Sequence, residues 1–277
     1  MRYEDGFFAS AGSARIYRQC WLPDDAPRAV LLLVHGLAEH SGRYVNLVDH
    51  VVPVGYAVYG IDHVGHGRSS GARAHADRFE DFLEPLKTYL EMIRRWQPGK
   101  PVFLVGHSMG GLIGAAFLLE HQDSLHGAIL SGPSVKVPDN ISPAVVLLGR
   151  VLSAVLPGVG ILGLDPTGVS RDPAVVRAYI EDPLVHTGKI SARLGAELLQ
   201  AMRRVTARAN LIRLPVLILQ GGADRLVAPD GARMLHELAG SSDKTLKIYP
   251  GLYHEVYNEP ERGQVLRDVE SWLASRL

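Results

Sequence analysis

The stretch Val102-Phe103-Leu104-Val105-Gly106-His107-Ser108-Met109-Gly110-Gly111-Leu112-Ile113-Gly114 decides the fold. Its first four residues read as a buried strand, and the apolar run after Gly111 opens a helix. Between them a serine stands in the pattern G-x-S-x-G, with glycines at 106 and 110. A sharp strand-to-helix turn needs small residues on either side, because a Cβ there strikes the neighbouring strand or helix. The turn leaves Ser108 at a helix N-terminus, where backbone N–H groups favour developing negative charge. A serine in that position is a candidate nucleophile.

Outward from this turn, short apolar runs alternate with longer helical patterns. Strands are expected at Ala29–Val34, Tyr56–Ile61, Pro101–Gly106, Gly127–Ser131, Pro215–Gln220 and Thr245–Tyr249. Helices are expected at Phe79–Gln97, Gly110–His121, Gly231–Leu238 and Glu261–Arg276. This rhythm is the signature of an α/β protein with a mostly parallel central sheet and helices on both faces. Gly and Pro punctuate most of the joins, and there is no internal repeat. From about Ser134 to Arg208 the rhythm breaks, with several helical runs and no expected strand. The reading is a helical cap at 134–208 inserted into a core made of 1–133 and 209–277. Within it, Ala144–Leu156 is almost wholly apolar, but Arg150 interrupts it and Pro157 ends it. That is too short for a membrane span of about 20 apolar residues, so it reads as a buried or lid helix.

A serine hydroxyl needs a base, and the base needs an orienting carboxylate. Two later strands supply both at their C-terminal ends, the edge where ligands and catalytic groups gather in an open parallel sheet. Asp224 follows Pro215–Gln220, and His254 follows Thr245–Tyr249. The rival histidines are less well placed: His121 and His126 flank a helix end, His50 and His236 lie in helical runs, and His75 lies in a polar loop. Asp62 also follows a strand, but one that precedes the serine, and it reads as structural. The early strand Leu31-Leu32-Leu33-Val34 leads into His35-Gly36-Leu37, a pattern that offers one backbone N–H to an oxyanion. Leu37 and Met109 are therefore the expected backbone donors.

Bulk properties narrow the function classes. The 277 residues carry 29 Lys+Arg and 29 Asp+Glu, so no basic footprint for nucleic acid is present. Cys20 is the single cysteine, which excludes an intramolecular disulfide and a metal site built on paired thiolates. Met1 to Ser10 does not resemble a signal peptide, and the expected setting is the cytoplasm.

Four segments together carry a resemblance. They are His35-Gly36-Leu37-Ala38-Glu39-His40-Ser41-Gly42-Arg43-Tyr44, Asp62-His63-Val64-Gly65-His66-Gly67-Arg68-Ser69, Gly106-His107-Ser108-Met109-Gly110-Gly111 and Tyr249-Pro250-Gly251-Leu252-Tyr253-His254-Glu255. The chain resembles the monoacylglycerol lipases of the α/β-hydrolase superfamily, their bacterial branch most closely. The resemblance implies the α/β-hydrolase fold and hydrolysis of a fatty acyl ester of glycerol through an acyl-enzyme, without metal or cofactor. It also implies that the cap encloses an apolar acyl tunnel ending at a small polar pocket, with Glu39, Arg43 and His107 near it as substrate contacts. An ion pair between Glu39 and Arg43 is the plainer reading of those two. Animal members carry a second histidine three residues after the catalytic one, where this chain has Tyr257.

The expected partner is thus a small lipid ester. Apolar residues of the cap, Val145-Val146-Leu147-Leu148, Val151-Leu152, Val155-Leu156 and Ile161-Leu162, exceed what a polar substrate needs, although packing within the cap would also use them. A line of them exposed to solvent would give transient contact with a membrane surface and peripheral association. The alternatives on the same scaffold are a broader carboxylesterase, a lysophospholipase or a peptidase. A binding protein without turnover is disfavoured by the complete set of Ser108, Asp224 and His254.

Overall fold

Five strands whose every residue is buried set the architecture. The computed structural model describes residues 1–10, 14–137, 149 and 151–277. In chain order the strands are β1 (Arg2–Ala9), β2 (Arg15–Leu22), β3 (Ala29–Val34), β4 (Tyr56–Ile61), β5 (Val102–His107), β6 (Gly127–Ser131), β7 (Gly160–Gly163), β8 (Lys189–Ser191), β9 (Val216–Gly221) and β10 (Lys244–Tyr249). The helices are α1 (Val45–Val51), α2 (Glu80–Trp96), α3 (Met109–His121), α4 (Pro173–Glu181), α5 (Ala192–Arg208), α6 (Pro229–Leu238) and α7 (Arg262–Ala274).

Eight strands form one sheet in the order β1-β2-β4-β3-β5-β6-β9-β10. The run from β4 to β10 is parallel, and β2 joins it antiparallel to both β1 and β4. A parallel sheet is covered on both faces, which is why these strands read as continuous apolar runs rather than alternating ones. The pleat sends Val30, Leu32 and Val34 toward a core shared with α2, α3 and α6, and Leu31 and Leu33 toward one shared with α1 and α7. Helix α3 is buried from Met109 through Leu119 and so has no polar face to recognise in the sequence.

Two features differ from the sequence reading. The segment between β6 and β9 does contain strands: β7 and β8 pair antiparallel. At four and three residues they are too short to show a period of two, and Gly160 and Gly163 bound the first. The hairpin β1–β2 also went unread, because β1 is an edge strand with mostly exposed residues and no apolar run. Of the apolar segment 144–156, residues 144–148 and 150 lie outside the described residues. The remainder is helical at 151–155, with Val151 and Val155 exposed rather than buried.

The parallel order puts the C-terminal ends of β3, β5, β9 and β10 at one edge of the sheet, where the segment between β6 and β9 lies against them. Glu255 N–H donates to Val169 O at 2.8 Å, and His186 N–H to Ala38 O at 2.8 Å.

At that edge α3 approaches the end of β3 so closely that a Cβ on Gly110 would sit 2.0 Å from Val34 O. Gly110→Ala must therefore push α3 off the sheet; we expect destabilisation of at least about 3 kcal/mol in denaturant unfolding. A variant that unfolds at the wild-type midpoint would contradict this packing.

Candidate active site

Ser108 joins β5 to α3 with φ +55° and ψ −117°. Few non-glycine residues take such values, and the strain lifts the side chain out of the turn and away from both elements. The backbone around it is pinned on both sides. Ser108 N–H donates to Ser131 O at 2.9 Å, and Ser108 O accepts from Leu112 N–H and Ser134 N–H, each at 3.1 Å. The side chain is partly exposed to a cavity.

The loops after β9 and β10 bring Asp224 and His254 together. His254 Nδ1 lies 2.7 Å from Asp224 Oδ2. The carboxylate is further held by Leu226 N–H at 2.8 Å and Val227 N–H at 3.0 Å on Oδ1, and by Gln220 Nε2 at 2.9 Å on Oδ2. Every one of these groups donates, so the carboxylate is ionised and the His254 proton sits on Nδ1. Burial pushes the Asp224 carboxyl up, but the His254 proton and the backbone donors outweigh it and hold it below the usual carboxylate range. Burial pulls His254 down, while Asp224 more than offsets this, so the ring titrates above ordinary imidazole. The ring crosses the end of β6 at Gly132, whose φ is +51° and where a Cβ would lie 3.0 Å from His254 Cε1. A side chain at 132 would block the path from Asp224 to Ser108.

Ser108, His254, Leu37 and Met109 line one cavity of about 500 Å³. Met109 opens α3, where the first N–H groups have no acceptor within the helix. Gly36 N–H is taken by Glu39 Oε1 at 2.7 Å. His63 N–H donates to His35 Nε2 at 2.9 Å, so the His35 proton is on Nδ1 and is donated to Gly36 O at 2.7 Å. In a trans peptide the N–H points opposite to the C=O, so this bond constrains the Leu37 N–H from the core side, through its own peptide.

Of the three expected substrate contacts, Glu39 and His107 line the cavity and Arg43 does not. Arg43 sits behind them, between Glu39 Oε2 at 2.9 Å and a two-pronged pair with Glu255 at 2.6 and 2.9 Å. The face of its guanidinium lies 4.5 Å from the Tyr179 ring centroid in α4. Burial opposes the charge on Glu255, and Arg43 overcomes it, holding the carboxyl below its usual range. Two carboxylates thus share one arginine beside the cavity. His107 shares a hydrogen bond with Ser131 Oγ at 2.9 Å, and its ring centroid is 4.6 Å from that of His254. Burial, and then the nearby His254, hold His107 down to about 4.

Asp62 is structural, as expected, accepting from Ser41 N–H and Oγ–H and from Arg68 N–H. The rival histidines bond elsewhere: His50 to Glu270, His75 to Ser191 and His126 to Val102. Sequence reading passed over Gln220, Glu255 and Gly132. Glu255 does stand next to His254, but its partner Arg43 is 212 residues away.

Fold and site together define an α/β hydrolase whose chemistry centres on a serine. The sequence pattern of the family described as serine aminopeptidase, S33, matches residues 25–261. The chain is 42% identical to a monoacylglycerol lipase of Mycolicibacterium smegmatis over 98% of this chain and 96% of that one. It is 36% identical to the monoglyceride lipase of Homo sapiens, over 96% and 89% of the two chains. The crystal structure of Paleococcus ferrophilus monoacylglycerol lipase superposes with a TM-score of 0.86 at 36% identity, covering 95% of this chain and 99% of that one. The chain belongs to the serine aminopeptidase S33 family, among its monoacylglycerol lipase relatives, and is a serine hydrolase.

The buried histidines give the fold a pH limit. Burial holds His35 down to about 4 and His66 to about 3, against 6.5 for free imidazole. With His107 they stay neutral when folded and bind protons when unfolded, so their stabilisation is complete above about pH 6.5 and is lost as pH falls toward 4. The melting temperature is expected to decline through that window, before the carboxylates titrate; a constant value down to pH 4 would refute this.

Proposed function

We propose that this protein hydrolyses monoacylglycerols to a free fatty acid and glycerol, using Ser108, His254 and Asp224 as a Ser-His-Asp triad. Asp224 keeps the His254 proton on Nδ1, which leaves Nε2 to take the proton of Ser108 as Oγ attacks the ester carbonyl carbon. The N–H groups of Leu37 and Met109 stabilise the resulting oxyanion. His254 then returns the proton to the departing glycerol oxygen. Water, deprotonated by the same ring, attacks the acyl carbon; the bond to Ser108 Oγ breaks, His254 returns the proton to Oγ, and the fatty acid is released.

The observation that carries the reading is the cavity. Ser108, His107, His254, Glu39 and Glu255 are grouped at its reacting end, while the segment between β6 and β9 lines it mainly with apolar groups such as Leu152, Ile161, Leu162, Leu198, Leu199 and Met202, with Gln200 and Arg203 also on its wall. We read that segment, 134–208, as a cap that supplies the acyl tunnel to a core of 1–133 and 209–277. The charge of the reacting end favours a neutral alcohol. Beside Ser108 the two carboxylates Glu39 and Glu255 share one guanidinium, Arg43, so the phosphate of a lysophospholipid would meet net negative charge where glycerol meets hydrogen-bond acceptors. Hydrolysis of glycerol monoesters across an acyl-length series is expected to exceed that of lysophosphatidate and of aminoacyl anilides. A preference for either of the latter would replace the substrate assignment.

The cap also presents Val155, 70% exposed, and Leu156, 55% exposed, and Val151 and Leu162 are exposed as well. No helix among the described residues is long and apolar enough to cross a membrane. We read this patch as a surface for transient contact with lipid, in keeping with peripheral association of a cytoplasmic protein. Leu147 and Leu148, expected to share in it, lie outside the described residues.

Ser108→Ala should lower ester hydrolysis by more than about 10³-fold without changing the melting curve, and activity near wild type sinks the mechanism. The protonated ring cannot act as a base, so kcat/KM should fall with decreasing pH on one proton, with an apparent pKa above the 6.5 of free imidazole. A profile flat between about pH 5 and 9 counts against His254 as the base. Replacing Val155 and Leu156 together by Asp should reduce co-sedimentation with phospholipid vesicles while sparing a water-soluble short-chain ester; unchanged sedimentation removes the patch from that role.

A further inference from the structure

The loop after β3 carries Leu37, and the core does not hold this loop alone. Ala38 has φ +65°, a left-handed conformation that a residue with a Cβ adopts at a cost of about 1–3 kcal/mol and keeps only where its surroundings hold it. Ala38 O accepts the N–H of His186 at 2.8 Å. Two residues further on, His40 Nδ1 accepts Gly42 N–H at 3.2 Å, which places the ring proton on Nε2. That proton is donated to Asp182 Oδ2 at 2.9 Å. The other carboxylate oxygen, Oδ1, accepts Leu184 N–H at 2.8 Å and so shapes the turn that presents the His186 N–H. The loop is therefore gripped from two sides. His35 and Glu39 hold Gly36 from the core, and the turn at 182–186 holds Ala38 and His40 from the cap.

We propose that Asp182, through His40 and the turn it shapes, is a positioning residue for the oxyanion hole, which is complete only while this turn is docked on the loop. Asp182, His40 and His186 do not line the cavity, so the pair acts through the loop and not on substrate. A cap that lifted at 182–186 would release Ala38 and turn the Leu37 N–H away from the reacting carbonyl. This root of the cap stays closed during turnover, and substrate entry belongs to another part of it. The inference rests on the assignment of Leu37 as an oxyanion donor to the Ser108 reaction.

The test uses Asp182→Ala and, cutting the same link from the other side, His40→Phe. Activity is measured on p-nitrophenyl acetate, whose short acyl group does not fill the tunnel. Each variant should lose about tenfold in kcat with KM nearly unchanged, part of the 10²–10³ lost when an oxyanion donor is removed outright. The affinity of a boronic acid that forms an anionic tetrahedral adduct on Ser108 should fall by the same factor, a readout that a purely structural link would not move. The double variant should fall no further than either single one, and Asp182→Glu should recover part of the loss. A folded Asp182→Ala with wild-type kcat overturns the proposal, as does a loss confined to KM. Failure of both single variants to fold assigns the pair to folding and overturns it as well. Ser108→Ala is assayed in parallel on the same ester: activity surviving there defeats the hydrolase reading itself, whatever Asp182 does.

Discussion

Ser108 sits at a φ of +55°, and holding a serine there costs on the order of 1–3 kcal/mol. The surrounding chain makes that cost small. Leu104 on the strand side and Leu112 and Ile113 on the helix side are completely buried, and each contributes about 1.5–3 kcal/mol. Burial of the two elements that meet at the serine therefore outweighs the strain of joining them so sharply. Gly106 and Gly110 are the steric condition for that outcome, since a Cβ at 106 would lie 2.4 Å from Gly110 O. Once the turn is fixed, the rest of the site is defined relative to it: what lies beside β5 at this edge either reaches Ser108 or does not.

Electrostatics then separates two kinds of histidine. Among the described residues no carboxylate bonds the rings of His35, His66 and His107, and burial pushes them down. His254 is just as buried, yet the bond to Asp224 carries it the other way. One imidazole in the neighbourhood is thereby suited to accept and return a proton, while those beside it stay neutral and serve as fixed donors and packing. The same logic explains Arg43. Two buried carboxylates near the cavity would repel each other without it, and breaking a buried pair costs about 3–5 kcal/mol because the orphaned charge stays inside.

The central strands could be read from the sequence because both faces of a parallel sheet are buried, which turns each strand into an apolar run. Boundaries at β3, β4 and β6 agree with the expected ones to the residue. The same physics hid β1, whose exposed edge position asks for no apolar run, and β7 and β8, which are too short to show alternation. At the site, Ser108, Asp224 and His254 stood out because each lies in the segment that follows the C-terminal end of a strand. Gln220 did not, since a glutamine at the end of a buried strand has no local signature, and its bond to Asp224 appears only when the loop folds back. Gly132 looked like any other turn glycine until the His254 ring was seen to cross it.

What the sequence by itself determined was local and ordered. The spacing of glycines around Ser108, the continuous apolar runs of the strands and the succession of serine, acid and histidine after strand ends follow from steric and solvation rules that act over a few residues. The tertiary structure decided the pairings. Arg43 pairs with Glu39, four residues away and legible in the sequence, but its two-pronged partner is Glu255, 212 residues away. His40 met Asp182, 142 residues away. Such choices depend on which loops the strand order β4-β3-β5-β6-β9-β10 delivers to one edge, and on which buried charges must then be neutralised there. A charged side chain carries no mark of its partner, because the attraction acts through space and is strong only after folding has removed the water between them.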